Sequence, residues 1–118
     1  MKRNPGGNMR SVLALILSIA ALSVQADPYF MDGSALSQRL ERQDPSAITY
    51  IFGVYDGIQV IQYHSDAERL ICTPAAVTGT ELVDAVRGYL DAEPAITKFP
   101  AAIVVLRAFV WAFPCSKT

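Results

Sequence analysis

Apolar and polar positions along the chain separate four stretches with helical spacing. Leu36 and Leu40 fall four apart in SALSQRLERQ, and Gln38, Arg39, Glu41 and Arg42 turn away from them. This predicts a short amphipathic helix opening at Gly33-Ser34. Asp44-Pro45 then joins an N-cap residue to a proline at the first helical position, where the missing N–H costs nothing. A longer helix is expected from there, with Ile48, Ile51, Phe52, Tyr55, Ile58 and Ile61 or Gln62 on its apolar stripe. Gly53 and Gly57 each weaken an isolated helix by about 1 kcal/mol relative to alanine. Their spacing of four suggests a smooth strip for close helix contact. The run IQVIQY, Ile58 to Tyr63, also alternates like a strand, but no second alternating run exists to pair with it, so the reading stays helical.

Ser65 to Val77 has no sustained period and reads as a loop with at most a turn of helix. It is a long connection for a small domain, and such connections are often functional. Thr78-Gly79-Thr80-Glu81 matches a capping box, in which the threonine oxygen accepts the N3 amide and the glutamate reaches back. The helix it opens turns Leu82, Ala85, Val86, Tyr89 and Leu90 inward and ends before Pro94. The last element lies between Pro100 and Pro114, is apolar on nearly every side and holds one charge, Arg107. It is a central helix or a buried strand. Its length and its alanines favour helix. The expected fold is all-α, a small domain of about four helices closed by one disulfide.

The N-terminus alters this picture. Met1 to Arg10 carries Lys2, Arg3 and Arg10 and no acid, Ser11 to Leu22 is almost wholly apolar, and Val24-Gln25-Ala26 places small residues at the positions a signal peptidase reads. Residues 1–26 are therefore expected to be a cleaved signal peptide and 27–118 the mature domain, exported to the periplasm. A membrane anchor is the alternative, but a spanning helix needs roughly 20 apolar residues. No cysteine precedes Cys72, which removes the lipoprotein reading.

Beyond residue 26, seven basic and eleven acidic residues leave a formal charge of -4. That balance argues against nucleic acid and anionic membrane surfaces as partners and suits a basic protein. Cys72 and Cys115, the two cysteines of an exported chain, read as a disulfide. Closing that loop contributes on the order of 4 kcal/mol by the chain-entropy estimate. Zinc is the rival, and one histidine with two distant cysteines lacks ligand spacing, so neither metal nor cofactor is expected.

Catalytic chemistry finds little support. Cys72 and His64 are the components of a thiol hydrolase, but an oxidised cysteine attacks nothing. Asp66 and Glu68 read as solvated acids of a polar loop. Phosphate-loop, Gly-x-Ser-x-Gly and HExxH motifs are missing from the sequence. Phe109, Trp111 and Phe113 are candidates for a ligand pocket and Tyr55 and Tyr63 for an aromatic contact face, with core packing the simpler role. Arg107, a charge inside an apolar helix, is expected to snorkel, to form an interface or, preferably, to meet an acid.

Several short motifs occur in a telling order: Tyr50-x-x-Gly53-Val54-Tyr55-Asp56-Gly57, Cys72-x-Pro74, Val77-Thr78, Glu81-Leu82 through Tyr89-Leu90, Pro94, and Ala112-Phe113-Pro114-Cys115. Together they resemble the Tai-type immunity proteins, periplasmic antidotes against peptidoglycan amidases delivered by type VI secretion. The resemblance covers nearly all of residues 27–118. It implies a non-catalytic all-α protein without cofactor, often a homodimer, which inhibits its cognate amidase toxin by covering or plugging the active-site cleft. Many members carry a second cysteine pair joining the first helix to the start of the next, where this chain has apolar residues such as Leu40 and Ala47.

If a loop plugs that cleft, the polar connection bearing Tyr63, His64, Asp66, Glu68 and Arg69 is the expected contact. The alternative function is a non-catalytic envelope binding or structural module with no toxin partner, and a hydrolase built on Cys72 is the third.

Overall fold

The computed structural model describes residues 29–116, and the expected signal peptide lies outside them. Among the described residues four α-helices follow one another, α1 at Gly33–Glu41, α2 at Pro45–His64, α3 at Gly79–Ala92 and α4 at Ala101–Ala112. A 3-10 turn, Pro94–Lys98, joins the last two. Among the described residues there is no β-strand, only an isolated bridge between Asp32 and Pro100.

Local chemistry sets the helix starts. The Asp32 carboxylate accepts the Ala35 N–H at 2.7 Å and caps α1. Asp44 accepts from Ser46 at 2.9 Å and Pro45 follows it as the first residue of α2. Thr78 and Glu81 form the complete capping box, the Thr78 N–H donating to Glu81 at 2.7 Å and the Glu81 N–H to the Thr78 hydroxyl at 3.2 Å. Between α1 and α2 the chain reverses through Gln43, whose φ of 56° is left-handed. That conformation is costly for a side chain larger than glycine.

Helix α4 touches every other element and packs most extensively against α3. Its Ala101, Val104, Val105, Ala108 and Phe109 are fully buried against Leu36 of α1, Ile51 of α2 and Val86 of α3. The expected central helix is therefore present, although one side of it, with Ile103, Val110 and Trp111, stays open to solvent. Leu40 and Ala47 are both buried, so apolar packing closes the α1–α2 corner. The start of α1 is tied to the chain entering α4 by the Gly33 N–H to Phe99 carbonyl bond at 2.8 Å and the Ala101 N–H to Met31 carbonyl bond at 3.0 Å.

Three expectations need correction. IQVIQY continues α2 as expected, with Ile51 and Ile58 inward and Gln62 taking the place left open between it and Ile61, but Phe52 is exposed and Ala47 is buried instead. Gly53 and Gly57 make no close helix contact: a Cβ added at either meets nothing within 4 Å. Arg107 is exposed with its guanidinium 4.9 Å from the centre of the Phe99 ring, so an aromatic face takes the place of the expected acid.

Candidate partner-binding site

The last turn of α2 and the connection after it carry the candidate residues. Tyr63 and His64 end the helix, both exposed, with their rings edge to face at 5.0 Å. Ser65 leaves the helix in extended backbone, and its hydroxyl accepts the Ala67 N–H at 3.0 Å. From Ser65 to Leu70 every residue is exposed.

The far side of this loop is braced. Ile71 is fully buried in the core. The Cys72 N–H donates to the Phe113 carbonyl at 2.9 Å, and the Cys72–Cys115 disulfide joins the same two strands of chain. Thr73 and the Tyr55 hydroxyl share a 3.0 Å hydrogen bond, while the Tyr55 ring meets Phe109 edge-on at 5.8 Å. The exposed span thus projects from a base fixed by the core, by hydrogen bonds and by a covalent link.

Tyr63, His64 and Arg69 come together around a hollow of about 340 Å³, shared with Gln59, Val60 and Gln62. Asp66 and Glu68 do not line it and lie on the exposed turn of the loop. The arrangement offers two acids on an exposed turn and, beside it, a hollow lined by a cation and two aromatic rings, groups suited to contact with a protein surface.

Gln62 belongs to this site too, although its sequence position pointed only to a helix stripe. Its Oε1 accepts the N–H groups of Leu70 and Ile71 at 2.7 and 2.8 Å. The available signal was a polar residue at an inward position of an otherwise apolar stripe.

Other aromatic candidates separate. Phe109 is fully buried and Phe113 packs beside it at 6.2 Å, whereas Trp111 is 55% exposed and leans on Tyr89 at 5.9 Å. These three therefore line no common ligand pocket. Tyr55 packs inward and Tyr63 outward, so the two tyrosines do not form one contact face.

Both cysteines are consumed by the disulfide, leaving no free thiol. Among the described residues no group of three or more histidine, cysteine or acidic side chains is placed to hold a metal, and no helix is long and apolar enough to cross a membrane.

No curated protein and no solved structure matches the chain. The family model described as Rap1a immunity proteins matches residues 32–115, a span that opens at the α1 cap and closes on the second half-cystine. The chain belongs to the Rap1a immunity protein family.

Proposed function

We propose that this chain is exported to the periplasm, loses residues 1–26, and there binds a peptidoglycan amidase delivered by type VI secretion, blocking its cleft without doing chemistry itself. The observation that carries the reading is the Ser65–Leu70 loop, exposed along its whole length yet rooted in the core at Ile71 and Cys72. Its membership of an immunity family makes a toxin the natural partner. A plug must reach into a concave site and keep its shape there, because ordering a slack loop on binding opposes affinity.

The acidic balance beyond residue 26 supports fast encounter with a basic enzyme surface. Oxidation of Cys72 and Cys115 fits an oxidising compartment. The reading extends to the homodimer that the resemblance implies, for which the exposed Ile103, Val110 and Trp111 offer apolar area.

The test is rescue. Cells that direct the proposed amidase, sought as the product of the neighbouring gene, to their periplasm survive when the full chain is co-produced and lyse when the chain lacks residues 1–26. Lysis in both cases would refute the immunity reading, and survival in both would refute the compartment.

A further inference from the structure

One side-chain atom closes the exposed loop. Gln62 lies in the last turn of α2, and its Oε1 receives the N–H of Leu70 at 2.7 Å and of Ile71 at 2.8 Å. Two donors therefore converge on one carbonyl oxygen, matching its two lone pairs. The amide nitrogen of the same side chain is covered and has no acceptor among the described residues. The two loop donors thus dictate how the carboxamide is turned.

The bonds span eight and nine residues, so they draw the returning chain against the helix and close Ser65 to Leu70 into a defined turn. The Ser65 hydroxyl, accepting from Ala67, tightens its first corner. Ile71, Cys72 and Thr73 anchor the chain only after the loop has returned.

We infer that Gln62 is the positioning residue that gives the Ser65–Leu70 loop its binding shape before a partner arrives. The inference rests on the reading that this loop meets the toxin. Gln62 acts through the backbone of Leu70 and Ile71, and its own contact with the partner is not required. Without the acceptor, the loop must be ordered during binding, which slows productive encounter and weakens the complex.

The test uses the full exported, oxidised protein and two variants, Gln62→Leu, which removes the acceptor, and Gln62→Glu, which keeps an oxygen there. Amide hydrogen exchange at Leu70 and Ile71 is compared with exchange inside α3. The expected result for Gln62→Leu is about tenfold faster exchange, or more, at the two loop amides with α3 unchanged. Gln62→Glu retains slow exchange. If Gln62→Leu does not fold, Gln62→Asn, one carbon too short to reach, serves in its place. No acceleration, or equal acceleration throughout α3, overturns the inference.

Association with the proposed amidase, sought as the product of the neighbouring gene, is then measured. It should slow about tenfold for Gln62→Leu and recover in Gln62→Glu. Unchanged association alongside fast loop exchange would also overturn the positioning role. If the unaltered chain binds no amidase, the proposed function fails, and the exchange result still decides whether Gln62 orders the loop.

Discussion

The backbone N–H of Cys72 donates to the carbonyl of Phe113 at 2.9 Å, two residues before Cys115, the half-cystine bonded to Cys72. A hydrogen bond and a covalent bond therefore fasten the same pair of segments, the root of the loop and the end of α4. Noncovalent contacts at Ile71 and Thr73 add to them. The disulfide, spanning 43 residues, acts mainly by restricting the unfolded chain, while the native shape around it has other supports.

Removing the disulfide with a Cys72→Ala/Cys115→Ala pair is expected to lower unfolding free energy by about 4 kcal/mol. The helical circular dichroism below the transition should persist. Urea unfolding measures the first, and loss of the helical signal in native buffer would show that the noncovalent supports do not suffice.

The glycines and Gln43 give opposed expectations. A Cβ at Gly33 would lie 2.8 Å from the carbonyl oxygens of Phe99 and Thr97, which are backbone and cannot yield, so Gly33→Ala should destabilise by about 1–3 kcal/mol. Gly53→Ala and Gly57→Ala meet open space within a helix and should each stabilise by up to about 1 kcal/mol. Gln43→Gly relieves a positive φ and should also stabilise. Thermal unfolding of the four variants checks the signs.

Aromatic residues two apart on α4 should differ sharply. Phe109→Ala empties a fully buried position and is expected to cost about 3–5 kcal/mol. Trp111→Ala, at a side chain 55% exposed, should cost well under half as much. Equal losses in denaturant titrations would contradict the placement of α4.

Elements whose ends are written in local chemistry were legible from sequence. Asp44-Pro45 and Thr78-x-x-Glu81 start helices where expected because a cap is satisfied within three residues of itself. Which face a helix turns inward depends on its neighbours, and there the pattern misled. Gly53 and Gly57 look outward although small residues suit helix contact, and Phe52, expected on the inward stripe, is exposed while Ala47 is buried. Arg107 finds Phe99 because the turn after the 3-10 segment brings that ring beneath it, a relation invisible in the composition of α4. In the site, the loop and its charged residues were visible as a break in periodicity. The bonds from Leu70 and Ile71 to Gln62 were not, since they join residues eight and nine apart across that break.

Stability should fall at both ends of the pH scale through identified groups. The Ser46 backbone N–H, aided by its hydroxyl and by Arg39 and Arg42, holds the Asp44 carboxyl below its ordinary value of 3.8. Its contribution is full above that value and is lost as pH falls through the depressed one. Asp44→Asn, which keeps a capping oxygen, should flatten this part of the acid limb. Burial pushes the Tyr50 phenol above its ordinary 10.0, against an opposing hydrogen bond with the Ala102 backbone. Its contribution therefore persists up to pH 10.0 and is lost as pH rises through the raised value, a loss that Tyr50→Phe should remove. Thermal melts of both variants across pH measure these slopes.

The most direct measurement is titration of the oxidised protein into the proposed partner, an amidase sought as the product of the neighbouring gene, while cleavage of peptidoglycan amide bonds is followed. Inhibition by one-to-one binding requires that activity falls in proportion to added protein and vanishes near equimolar amounts. Asp66→Ala/Glu68→Ala should weaken that inhibition while the melting temperature holds. Full amidase activity in the presence of excess unaltered protein would contradict it.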